Sequence, residues 1–239
     1  MIILNEKKEA ERIIACGDLG IKPSQTLALL ARYYFWVEHL DDKDLFDRLD
    51  EFMRENYYKY KPEAWRETIF GKVKKAGKYP LAEIDEVEIT QDEIEIIKRL
   101  KSLRLERLAF TLLCIAKYGN KRNPDNNGWV CRPHNEIFKL ANIPVTTKEQ
   151  AIMLNTLYNL GLIGYSKKIT NINIQVLFIR EKSHIAFYVS DFRELGNEYM
   201  NYMKKHKYIR CCECGRLIKS SPNGRTKYCR ECAGTTKSH

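Results

Sequence analysis

No apolar run in this chain reaches the roughly 20 residues that a membrane-spanning helix requires. The longest, residues 26–37, is interrupted by Arg32, and the charged start around residues 5–11 is not a secretory signal. Membrane insertion is therefore not expected, and a cytoplasmic location is. Signatures of catalysis are missing as well. The chain has no Walker A loop, no G-x-S-x-G nucleophile turn, no H-E-x-x-H helix and no dinucleotide-binding glycine pattern. Its five histidines, His39, His134, His184, His206 and His239, form no spaced ligand set. A non-enzymatic protein is the expectation.

Cysteine, by contrast, is plentiful, with eight in 239 residues. Four of them, Cys211, Cys214, Cys229 and Cys232, form C-x2-C, a gap of fourteen residues, and a second C-x2-C. Two such knuckles each present a pair of thiolates on one tight turn, which is the ligand pattern of a structural Zn²⁺ site. Gly215 directly after the first pair suits a left-handed turn, and residues 222–224, Pro-Asn-Gly, suit a hairpin tip. About twenty residues separate the outer cysteines, too few for a hydrophobic core, so the ion itself would supply the folding energy. Cys212 is a spare thiol beside the ligands, and a set using it in place of Cys211 has poorer spacing. A redox C-x-x-C is the alternative, but it calls for a strand-to-helix setting and a single copy. Cys16, Cys114 and Cys131 sit in apolar segments and read as small core residues.

The formal net charge of +10 is unevenly spread. Residues 1–98 carry −5, residues 99–180 carry +9, residues 181–203 carry −2 and residues 204–239 carry +8. Phosphate contacts dominate nucleic-acid affinity, so the second half is the candidate polyanion surface. A lysine-rich solvated surface is the plainer reading of the same numbers.

Helical periodicity dominates the first third. Helices are expected over residues 6–16, 24–37, 41–58 and 62–76, with Pro23 and Pro62 at starts and Asp41, Asp42 and Asp44 at the positive end of the third helix. The acids read as capping groups, because neither a glycine-bearing calcium loop nor a histidine accompanies them. The aromatics between Tyr33 and Trp65 read mainly as inter-helix packing. Residues 86–89 alternate as a short strand, and Thr90 with Glu93 three residues on forms a capping-box pattern. A long helix follows to residue 119, broken near Ser102, and then an exposed Asn/Pro/Gly-rich loop over residues 120–128.

From there the order is a short strand at residues 129–130, helices at 135–140 and 147–160, then strands at 161–165 and 174–179, with residues 186–189 as a third strand candidate. This order resembles a winged helix-turn-helix, in which a phrase such as Leu157-Tyr-Asn-Leu-Gly-Leu-Ile163 ends the recognition helix and enters the wing. On that helix Ala151, Leu154, Leu157 and Tyr158 form the expected core stripe. Thr147 and Asn155 are placed to read base edges and Lys148 to meet phosphate. Lys167, Lys168 and Asn171 stand at the wing tip, and Arg216, Arg225 and Lys227 surround the cysteines as further backbone contacts. In many winged helices the same face binds protein instead. His134, in Pro-His-Asn-Glu136, looks like part of an HNH nuclease motif but has no strand pair or second histidine with it, and a capping or surface role is expected.

The helical start, the winged-helix phrase, Val189-Ser-Asp-Phe-Arg-Glu-Leu-Gly196 and the terminal cysteine pairs resemble uncharacterised phage and prophage proteins of Gram-positive bacteria. That resemblance implies a bacterial cytoplasm and a role in phage regulation, replication or host takeover, and supplies no catalytic residue. The expected fold is mainly α with small β elements (α+β): an acidic helical domain over residues 1–98, a winged-helix domain over 99–203, and a zinc-ribbon or treble-clef-like module over 204–239 with a frayed tail. The expected function is a Zn²⁺-containing regulator bound to double-stranded DNA. The rivals are a phage protein that captures a host protein, including a defence factor, and a replication accessory factor.

Overall fold

The computed structural model describes residues 2–166, 173–221 and 223–235. Lys167, Lys168 and Asn171 lie outside the described residues, as does Pro222. The chain divides into two compact units, one of residues 3–85 and the other of residues 86–239 with the N-terminal dipeptide. No helix among the described residues is long and apolar enough to cross a membrane.

The first unit holds four helices, α1 (Glu6–Cys16), α2 (Pro23–Trp36), α3 (Asp42–Asn56) and α4 (Pro62–Ala76). Their ends follow local chemistry. The Asn5 side chain accepts from Lys8 N at the start of α1, and Gly17 closes that helix at φ +67°. The left-handed turn favours glycine there, and a Cβ at Gly17 would lie 2.1 Å from Asn56 Oδ1, so that side chain would have to move. Asp41 Oδ1 accepts from Lys43 N and Asp44 N at 2.9 Å, which confirms the capping role of this acidic start. Proline stands at the first helical position of α2 and α4. Leu27, Leu30, Tyr34, Leu45, Leu49, Met53, Ile69 and Val73 close one apolar core. With 15 basic and 16 acidic side chains, residues 3–85 are nearly neutral. The acidity expected of residues 1–98 comes mainly from residues 86–98, which pack with the second unit.

In the second unit β1 (Val87–Thr90) leads into α5 (Gln91–Lys98), and the capping box between Thr90 and Glu93 is present. Lys101, at φ +50°, separates α5 from α6 (Leu103–Arg122). Residues 108–118 of α6 are buried without interruption, as expected of a helix enclosed on every side. Past it come a 3-10 turn (Pro124–Asn126), β2 (Trp129–Val130), α7 (His134–Leu140), α8 (Thr147–Asn159), β3 (Ile163–Tyr165) and β4 (Ile174–Val176). The Asn-rich loop is organised by its own amides: Asn120 Oδ1 accepts from Gly128 N at 2.8 Å and from Asn126 Nδ2 at 3.0 Å.

The sheet order is β2-β4-β3, all antiparallel, with Val130 and Tyr165 both opposite Ile174. Its third strand is therefore β2. The expected candidate, residues 186–189, instead forms β5 (Ile185–Val189), which pairs with β1 from Val87↔Val189 to Thr90↔Ile185. Two cysteines also depart from expectation. Cys16 and Cys131 are exposed, because one ends α1 and the other lies just past the short β2, and Cys114 alone of the three is buried in α6. The chain continues as α9 (Leu195–Tyr202), β6 (Tyr208–Arg210), β7 (Leu217–Lys219) and α10 (Arg230–Thr235).

Candidate metal centre and basic surface

Strands β6 and β7 pair antiparallel with Ile209 opposite Ile218, and the first cysteine pair sits on the turn between them. Gly215, at φ +69°, lets its N–H reach Cys211 O at 2.9 Å, while Cys211 N donates to Arg216 O at 2.9 Å. The second pair opens α10: Ala233 N donates to Cys229 O at 2.9 Å, which sets Cys229 and Cys232 on one helical turn. The two turns are joined at the sulfurs. Cys229 N donates to Cys211 Sγ at 3.2 Å and Cys232 N to Cys229 Sγ at 3.4 Å.

The ligand atoms of Cys211, Cys214, Cys229 and Cys232 all lie within 4.8 Å of one another, and this is the only such group of three or more among the described residues. A tetrahedral ion with metal–sulfur bonds of about 2.3 Å places its sulfurs about 3.8 Å apart. The Cys214 to Cys229 separation of 3.7 Å meets that requirement. Four soft donors at this spacing can hold a metal ion. Cys212, whose N–H is tied to Lys227 O at 3.0 Å, is exposed and outside the group, so Cys211 is the member of that pair placed to ligate an ion. Burial raises the Cys211 thiol, but the backbone N–H groups of Cys214, Cys229 and Glu213 outweigh it and bring the pKa down to about 6. The Cys232 thiol is held above its ordinary value, first by its hydrogen bond to Cys229. Cys211, Cys214, Cys229 and Cys232 would hold a cation as thiolates, so its binding would release the protons they share.

This module is fastened to the segment that opens α9. Arg193 makes a two-pronged pair with Asp191, at 2.8 and 2.9 Å, and donates Nη2–H to Cys214 O at 2.9 Å. Asn197 Nδ2 donates to Leu217 O at 3.4 Å, Arg210 lies 3.4 Å from Glu198, and Arg216 lies 4.0 Å from Glu194. Burial raises the Glu198 carboxyl, and Arg210 pulls it back. From α9 the contacts run on to the α7–α8 turn. Asn142, at φ +56°, hydrogen-bonds Glu194, and a Cβ on Gly196 would come within 2.0 Å of Ala141 O. Asp191, Arg193 and Glu194 enter the sequence reading only within the phrase Val189–Gly196 and Asn197 and Glu198 not at all, and none of the five is expected there to hold the module. The signal was there, because carboxylates at positions 191, 194 and 198 follow the helical repeat beside a segment rich in arginine.

Thr147, Lys148 and Asn155 are exposed on α8. Glu149 closes a capping box on Thr146, and the backbone hydrogen bond there lowers its carboxyl pKa, so it serves the helix start. The expected core stripe is only half right. Leu154 and Leu157 are buried, whereas Ala151 is exposed and Tyr158 is 49% exposed with its ring 5.3 Å from that of Tyr165. The helix rests on a narrow strip completed by Met153 and leaves Ile152 57% exposed. Arg225 and Lys227 are exposed, Arg216 is partly buried toward Glu194, and Arg132 is paired with Glu136 at 3.2 Å. Residues 86–239 carry 26 basic and 15 acidic side chains. No protein-family model, curated protein or solved structure matches the chain.

Proposed function

We propose that this chain is a non-enzymatic, Zn²⁺-stabilised protein of phage type that binds duplex DNA through α8. The observation that supports the reading is the run α6-β2-α7-α8-β3-β4 with sheet order β2-β4-β3, an order like that expected of a winged helix-turn-helix. In that arrangement α8 is the helix offered to the major groove, with Thr147, Lys148 and Asn155 on its solvent side. The β3–β4 connection, which carries Lys167, Lys168 and Asn171, is the wing. The excess of basic side chains in this unit favours a polyanionic partner. Four thiolates in a tetrahedron favour Zn²⁺, and a knuckle at the turn of the β6–β7 hairpin, followed by a helix that opens on the second pair, supports a zinc-ribbon or treble-clef-like module.

The test is a titration of a labelled duplex at several salt concentrations. Affinity should fall steeply with salt, and neutralising Lys148, Lys167 and Lys168 together should flatten the log–log slope by about 2.7. A duplex affinity indifferent to the triple change would sink the reading. A second reading rests on the apolar exposure of Ile152 and Tyr158, which suits a protein partner on the same face. It predicts that a host protein co-purifies after nuclease treatment and is lost with Ile152→Asp.

A further inference from the structure

The second half of α4 and the residues just past it form an edge of the helical unit with rings and cations that its core does not use. Phe70 in the middle of α4 is 46% exposed, Tyr79 just past the helix is 58% exposed, and Trp36 at the end of α2 is 39% exposed. The Trp36 indole N–H donates to Ala76 O at 3.2 Å, which anchors its ring at the last turn of α4. Lys74 Nζ lies 4.3 Å from the Phe70 ring centroid and Lys78 Nζ 5.4 Å from that of Tyr79. Residues 66–79 carry five basic side chains and one acidic, whereas the rest of residues 3–85 carries ten basic and fifteen acidic. Among the described residues no carboxylate comes within ion-pair distance of Lys72, Lys74, Lys75 or Lys78.

We propose that this edge is a stacking site for single-stranded nucleic acid, separate from the duplex-binding surface assigned to α8. Lysines in the last turn of a helix complement its dipole, but that accounts for none of the exposed rings. Lys74 lies over one face of the Phe70 ring, so a base stacked on Phe70 would take the other face or displace the ammonium, with its backbone phosphate in reach of Lys74. Duplex DNA does not fit, because paired bases keep their faces inside the stack and only an unpaired base can lie on a ring. An anionic membrane fits less well. An interfacial helix needs a continuous apolar face, and the solvent face of α4 sets Glu63, Arg66, Glu67 and Lys74 around the single ring of Phe70.

The experiment is fluorescence anisotropy of a labelled twenty-nucleotide oligothymidine with the full chain, beside a duplex of the same length. Phe70→Ala with Tyr79→Ala should weaken the single strand about tenfold or more and leave the duplex unchanged. Lys74→Gln with Lys75→Gln should reduce the salt slope for the single strand by about 1.4. Phe70→Tyr, which keeps a ring, should bind like the parent, and unchanged thermal melts would show that each variant is folded. The proposal is overturned if the oligothymidine does not bind, or if the alanine pair binds it like the parent. It is equally overturned if duplex and single strand weaken together, or if phosphatidylserine vesicles bind through Phe70 and the oligothymidine fails to displace them. Loss of duplex binding through α8 with retention of this site would fail the earlier reading and leave this one standing.

Discussion

The helical unit buries Leu, Ile, Met and Tyr side chains with no charged or polar side chain among them, whereas residues 86–239 bury Thr90, Glu93, Glu106, Thr111, Lys117 and Glu198. In the first unit, neighbours in sequence supply the caps and an amphipathic stripe supplies the core, so each helix is specified largely by its own residues. In the second, buried charges are satisfied by residues far along the chain. Glu93 on α5 accepts from Lys117 Nζ at 2.9 and 3.0 Å, from its own cap at Thr90 N, and from Arg180 N at 2.9 Å, eighty-seven residues away. Glu106 on α6 accepts from the Tyr199 hydroxyl of α9 at 2.8 Å, and burial raises that phenol far above its ordinary pKa. Apolar packing tolerates small errors of position, but a buried ion pair does not. The second unit is therefore the more sharply specified and the more easily broken by one change.

Metal removal gives the largest predicted separation of the two units. Chelation, or Cys214→Ser, should remove on the order of 10 kcal/mol of folding energy from the terminal module. Hydrogen exchange should then lose protection across residues 208–233 and keep it across residues 23–76. Equal loss in both would show that the units stand or fall together. The parent, purified reduced, should carry one metal ion per chain by elemental analysis. Next in size is Lys117→Met, which strands the Glu93 carboxylate in the interior and should cost about 3–5 kcal/mol. Adding Glu93→Gln to it should recover much of that loss in a denaturant titration, and a double variant no better than the single would argue against a coupled pair.

Its counterpart in the helical unit is Leu30→Ala, at a fully buried position, expected to cost about 2–5 kcal/mol while metal content stays at one ion. The smallest of the set is Gly196→Ala, at about 1–3 kcal/mol, because the new methyl meets a backbone carbonyl that has no rotamer to yield. Its informative readout is exchange at residues 141–147. A change there without loss of metal would locate the effect at the α7–α8 turn.

The difference between the units also decided what the sequence disclosed. Pro23 and Pro62 fix their own φ, and Asp41 and the Thr90–Glu93 pair act on amides within a few residues, so the helix starts were legible. The cysteine set was legible because metal geometry dictates spacing on each knuckle. Strand partnership is not a local property, and nothing in residues 186–189 says that they lie against β1 instead of β4. Periodicity alone could not tell that α8 meets only a narrow strip of core, which is why Ala151 and Tyr158 were expected inside. Cys16 and Cys131 were misjudged for the same reason, since an apolar neighbourhood in sequence does not fix which side of an element faces water.

The pairing of Val87 with Val189 has a consequence for synthesis. At about 5–20 residues per second, β1 leaves the ribosome some five to twenty seconds before its partner strand exists. During that interval a short segment alternating Val, Glu and Ile has an open edge, while the four helices ahead of it already have every residue of their core. Glu86 and Glu88 put carboxylates along that waiting segment, and like charges would keep two nascent chains from pairing edge to edge.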